Sequence, residues 1–183
     1  MIHLEAWYRE ALTEVEVRRL RRDLDEGQIT TEEYSRQVGR SGQPTLFDFG
    51  EGPVPAHRHI NPDESDGGWV AETASVAATC TIGKDAHVHG SAVVTGYVKV
   101  YENAVVSGSA VVTGRAEVFG TAQVYENAQV LGNAWVYGAA RVGGDAQVYG
   151  SAEVSENAWV YGDARVYGDA RVDYEVSSGE ITE

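Results

Sequence analysis

With 183 residues, 14 Lys and Arg against 28 Asp and Glu, and a net charge of −14, the chain is acidic along its whole length. That balance argues against charge-driven binding to nucleic acid or to anionic membrane surfaces. No stretch is apolar enough to span a bilayer, and the single cysteine excludes an internal disulfide. The N-terminus has no basic region followed by an apolar run, so no secretory leader is expected, and a lone thiol fits a reducing, cytoplasmic compartment.

Residues 1–40 read as a helical docking segment. Leu4, Trp7, Tyr8, Ala11, Leu12, Val15, Leu20 and Leu24 give residues 3–26 a helical apolar pattern, and Gly27 stands where a C-cap belongs. Thr30-Thr31-Glu32-Glu33 is a capping-box pattern that opens a second short helix to about Val38, which Gly39 closes. The stretch Leu20–Val38 is similar to the short helical hairpin of SHOCT-type domains, and that resemblance implies oligomerisation or docking. Residues 41–66 hold Pro44, Pro53, Pro55 and Pro62 with several glycines, the composition of an extended linker or arm. Leu46, Phe47 and Phe49 are its candidate anchors on a neighbour.

From Val70 to Val172 every sixth residue is Val or Ile, for eighteen repeats without insertion or deletion. Two residues before each stands a small residue, Ala except at Gly68, Cys80 and Val98. Alternation puts Ala and Val on one face of a very short strand and the variable residues on the other. Gly, or a Glu-Asn pair, follows two residues after each Val through most of the run, at the place of a tight corner. A strand this short cannot bury its face alone, so the hexads must coil and stack on their copies.

Hexads such as Asp163-Ala164-Arg165-Val166-Tyr167-Gly168 resemble the hexapeptide-repeat family, and the similarity runs over residues 67–174. The resemblance implies a mainly β fold: a left-handed parallel β-helix of triangular section, three hexads per coil and about six coils, with a small N-terminal α-helical segment. The lead-in His57-Arg58-His59-Ile60-Asn61-Pro62-Asp63, followed by Gly67-Gly68-Trp69-Val70, and the run Asn157-Ala158-Trp159-Val160-Tyr161-Gly162 resemble the hexapeptide-repeat proteins of phages and prophages. Residues 175–183 read as an acidic tail, disordered or a loose cap.

Residues 18 apart are expected to stack in adjacent coils, so each outer face can be read as columns. One face carries Val93, Thr95, Val111, Thr113, Gln129 and Leu131, unusually apolar for a solvent face and the expected contact surface of a homotrimer. Packing of the N-terminal helices there is the competing use. A second face stacks Tyr101, Phe119 and Tyr137 beside Trp135. A third carries Trp69, His87, His89, Val105, Gln123, Tyr125, Arg141, Trp159 and Tyr161, with aromatics of the kind favoured at protein contacts.

The resemblance also implies acyl transfer as an alternative, because family members place a catalytic His at the groove between subunits. His87 and His89 are the candidates, but the repeat carries no inserted loop. No cofactor and no metal site is expected. The alternating pairs His57 with His59 and His87 with His89 are the nearest approach to one, without Cys or carboxylate partners at fixed spacing. Glu102, Glu126 and Glu156, each before an Asn, read as turn residues. The reading reached is a non-enzymatic structural or interaction protein, a trimeric rod made in the cytoplasm and associated with a virion or host protein. A module that sequesters a ligand or a host protein is the other alternative.

Overall fold

In a computed structural model the described residues are 14–28, 30 and 45–182. The chain divides into two compact units, Met1–Thr45 and Leu46–Glu183. In the first, helix α1 runs Glu14–Asp25. Its end is a Schellman cap: Gly27 adopts φ 71°, its N–H donates to the Leu24 carbonyl, and the Gln28 N–H donates to the Asp23 carbonyl. The second helix expected from Thr30 to Val38, and with it most of the hairpin, lies outside the described residues, as do residues 3–13 of the first.

The second unit is mainly β, a parallel β-solenoid of about six turns. It opens with β1 (Leu46–Asp48), β2 (Pro53–Ile60) and β3 (Asp66–Ala71), paired antiparallel in that order. Within residues 41–66, expected as an extended linker or arm, Leu46–Asp48 and Pro53–Ile60 are therefore extended and paired within this unit, joined by a turn. After β3 the hexads become two-residue strands, such as His87–Val88 and Val93–Val94, stacked in parallel into three sheets of nine, seven and six strands, the nine counting the antiparallel β1 and β2 at its edge. Registers hold column by column: Val93 pairs with Val111, Glu117 with Trp135, Gln123 with Arg141.

The sheets form because each strand's neighbour lies in the next coil. The Lys99 N–H donates to the Ala116 carbonyl at 3.1 Å and the Tyr101 N–H to the Val118 carbonyl at 3.0 Å. Every inward Ala and Val from Ala86 to Val166 is fully buried, and Cys80 and Val98 sit in the same small-residue slots. At Gly68 the slot is narrower, because a Cβ there would run into the Ala86 carbonyl.

The corners take positive φ, and in the Glu-Asn corners the left-handed residue is the glutamate: Glu102, Glu126 and Glu156 have φ of 58°, 57° and 53°. The Glu126 carboxylate meets that strain by accepting the Gly144 N–H of the next coil at 2.6 Å, while the Asn127 amide donates to Asp145 at 3.0 Å.

The tail after Val172 does not leave the solenoid at once. Strands Glu175–Val176 and Glu180–Ile181 extend the nine- and seven-stranded sheets. Val176 is buried and Ile181 packs on the core, which lets a contracted spacing close the last turn.

Candidate interaction faces

The seven-stranded sheet presents Ser75 and Ala77, then Val93 and Thr95, Val111 and Thr113, Gln129 and Leu131, Gln147 and Tyr149, flanking its inward Val residues. These outward positions carry no ionisable group except the Tyr149 phenol, and the first formal charge is Arg165 in the next strand. Val93, Thr95, Val111, Thr113 and Leu131 are half-buried in the isolated chain. Thr95 and Thr113 share a hydrogen bond of 3.1 Å, so even the polar members of the face satisfy one another. Tyr149 and Tyr167 stack at 5.0 Å at its far end.

The six-stranded sheet carries the aromatic ladder. Tyr101, Phe119 and Tyr137 stack nearly parallel at 4.9 and 5.0 Å. The Tyr101 hydroxyl donates to Glu117 at 3.1 Å and the Tyr137 hydroxyl to Glu153 at 3.3 Å, each 16 residues on in the next coil. Phe119 has no hydroxyl, and its diagonal partner is Trp135, met edge-on at 6.4 Å. Trp135 remains 45% exposed. Lys99 pairs with Glu117 at 3.0 Å and Arg171 with Glu153 at 3.5 Å. Burial, the Glu117 hydrogen bond and the neighbouring carboxylates push the Tyr101 phenol up to about 12. Replacing Phe119 by Ala removes two stacked contacts and should cost about 1–3 kcal/mol, at 0.5–1.5 per aromatic pair; equilibrium denaturation against the parent chain measures it.

On the nine-stranded sheet the histidines expected to stand outward are covered. Phe47 stacks on Trp69 at 4.7 Å and meets His87 edge-on at 5.1 Å; Phe49 stacks on His89 at 4.8 Å. The anchors Phe47 and Phe49 thus hold within their own chain, while Leu46 is 56% exposed. Arg58 lies 4.7 Å over Trp69 and donates to the carbonyls of Gly67 and Lys84 at 3.1 and 2.8 Å. Desolvation and the Arg58 charge lower His87; desolvation, with His87 beside it, lowers His89.

His57 and His59, two residues apart on β2, take different partners. The His57 Nδ1–H donates to the Glu72 carboxylate at 2.8 Å. His59 is 1% exposed, and its Nε2–H donates to the Cys80 carbonyl at 2.9 Å. Next to it the Asn61 Oδ1 accepts the Ile82 N–H at 2.8 Å. Ile82 belongs to the first strand of the six-stranded sheet, Thr81–Ile82, which Cys80 directly precedes and whose outer edge has no strand beyond it. His59 and Asn61 therefore stand in for the missing coil. His57 and His59 take separate partners while His87 and His89 share one aromatic seat, and among the described residues no three His, Cys, Asp or Glu gather as a metal site. Burial pushes the Cys80 thiol up, which makes it a core residue rather than a nucleophile.

Toward the C-terminal end the repeat lacks a side chain at Gly143, and the Tyr125 ring lies across that gap. Its hydroxyl accepts the Trp159 indole N–H at 3.0 Å, and Trp159 tilts against Tyr161 at 4.6 Å. Tyr161 and Tyr167 repeat the Tyr-to-Glu diagonal, donating to Glu175 and Glu180 at 2.7 and 3.1 Å, and both phenols are raised by those bonds. The Tyr101 and Tyr137 pairs were open to a reading of the sequence, since both span 16 residues, whereas those of Tyr161 and Tyr167 span 14 and 13 where the last turn contracts. The end contacts of His59 and Asn61 were not, since they occur once.

Among the described residues no helix is long and apolar enough to cross a membrane. The family model described as YdcK Beta solenoid repeat matches residues 158–174, a little under one turn of the solenoid. No curated protein and no solved structure matches the chain. The repeat match and the stacked parallel coils together support a repeat β-helix family for this chain.

Proposed function

We propose that this protein is a non-enzymatic structural element. Three copies pack side by side through their seven-stranded sheets into a rigid rod, and the N-terminal segment docks that rod on a protein partner. The resemblance to phage and prophage repeat proteins makes a virion decoration or accessory role the reading we favour, and the mechanism is geometric: the rod spaces and displays its aromatic columns.

The observation that carries this reading is the uncharged column from Ser75 to Tyr149 on a chain of net charge −14. Acidic chains gain solubility from exposed charge, and a face spared of it through five successive strands is suited to burial against another protein. Identical solenoids repeat at the same spacing, so their columns match over the whole length without any special fit.

Light scattering on the intact chain should give three times 19.7 kDa. Val93→Glu combined with Val111→Glu places like carboxylates together around the axis, where each juxtaposition costs several kcal/mol. The variant should run as a monomer with an unchanged far-UV spectrum. A parent chain that is already monomeric, or a variant that keeps the trimer mass, removes the proposal.

A further inference from the structure

We propose that residues 46–52 form a pH-released strap, closed over Trp69, His87 and His89 at neutral pH and opened when the two histidines take up protons. The strap's backbone hold is short. Its three registered pairs with β2 are Leu46 with Pro55, Phe47 with Val54 and Asp48 with Pro53. Pro55 turns its carbonyl the other way, to the Glu72 N–H, so by the alternation of an antiparallel ladder only the Phe47–Val54 pair faces to exchange backbone bonds. The turn that follows is held by its own residues, the Asp48 carboxylate accepting the N–H groups of Gly50 and Gly52 at 2.7 and 2.9 Å.

The aromatic seat therefore holds the strap. Phe47 lies on Trp69 and against His87, and Phe49 lies on His89 and against His87 at 5.7 Å. Two of the five rings in that seat can become cations. Segments with few backbone bonds, held mainly by side-chain packing, are the first to open locally.

The charges around the two imidazoles are few. Arg58, from β2, opposes protonation of His87, and Asp85, from the corner before it, favours it. Glu51, from the strap's own turn, favours protonation of His89, and His87 opposes it. Asp48 is occupied by its turn. Lys84 lends its carbonyl to Arg58, and the adjoining coil presents uncharged Val105 and Ser107. Desolvation is the largest influence on each, and both histidines are lowered.

The sign follows from linkage. A base whose pKa is depressed in the closed form binds more protons in the open form. Closure is then fully favoured above the ordinary histidine value of about 6.5 and is lost as pH falls through the lowered values. Opening exposes the Trp69, His87 and His89 surface together with Phe47 and Phe49.

Hydrogen exchange of the full chain, corrected for intrinsic rates and read on peptides covering residues 45–52, tests this at pH 7.5 and 5.5 (values chosen to lie about one unit either side of the ordinary histidine pKa). Strap exchange should speed up at the lower pH, by up to about tenfold for each histidine, while peptides from the middle coils stay unchanged. His87→Phe with His89→Phe should keep the strap protected at both pH values. Should that variant not fold, histidine titration by NMR in the parent chain decides: values at or above the ordinary one overturn the proposal. So does strap protection that ignores pH, or a pH response that survives in the Phe variant.

Discussion

Replacing His59 and Asn61 together by Leu should unravel the first turn of the solenoid and leave the middle turns intact. The two side chains occupy the outer edge of the six-stranded sheet, donating to the Cys80 carbonyl and accepting the Ile82 N–H. Leucine comes close in volume to either residue, so the change removes the hydrogen bonds with little cavity. Each buried backbone group left unpaired costs about 1–3 kcal/mol, for a total of about 2–6. In a stacked repeat each turn touches only its neighbours, so the loss is local and appears as fraying from that end. Hydrogen exchange of Thr81 to Val88 against Val112 to Val124 measures it. His59→Gln, which keeps a donor, should recover part of the protection. Equal exchange in parent and double variant would show that the edge does not depend on these side chains.

The second large effect is at the corners. Gly114→Ala should destabilise by about 2–5 kcal/mol, and Gly132→Ala, one coil further in the same column, by clearly less. Gly114 has φ 83°, and a Cβ built there lies 2.6 Å from the Gly132 carbonyl oxygen and 2.9 Å from its nitrogen. The left-handed conformation costs an L-residue about 1–2 kcal/mol, and forcing the stacked backbone apart adds about 1–3. At Gly132 the φ is 73° and the closest approach relaxes to 3.0 Å. The glutamate corners show what a side chain requires, because their φ values of 53–58° sit lower than at any glycine corner. Denaturant melts of the two variants give the difference; equal losses would mean that the corner column yields as a unit rather than residue by residue.

Much of the fold follows from the hexad period. One Val every six residues, with Ala two before it, names the inward columns from Val70 to Val172, and these residues are the buried core. The Tyr101, Phe119 and Tyr137 stack was likewise readable, because residues 18 apart share a column and aromatic rings in one column stack. The uncharged face from Ser75 to Tyr149 emerges from the same counting. What occupies that face lies in the assembly, which the periodicity of one chain does not encode.

Outside the period, neighbours in sequence say little about neighbours in space. Phe47 and Phe49 read as anchors of the arm on a neighbour, and the surface they seat on within their own chain, Trp69, His87 and His89, was not legible. His57 and His59 read as one pair and separate to Glu72 and to Cys80. The repeat and its inward and outward faces were legible in the residues alone, because a strict period makes every contact a copy of its neighbour's; the six turns needed the three hexads per coil that the family resemblance implied. How the solenoid begins was not legible. An end is met once, its open hydrogen bonds take whatever donor and acceptor the preceding segment delivers, and His59 and Asn61 reach theirs across 21 residues with no repeat to announce them.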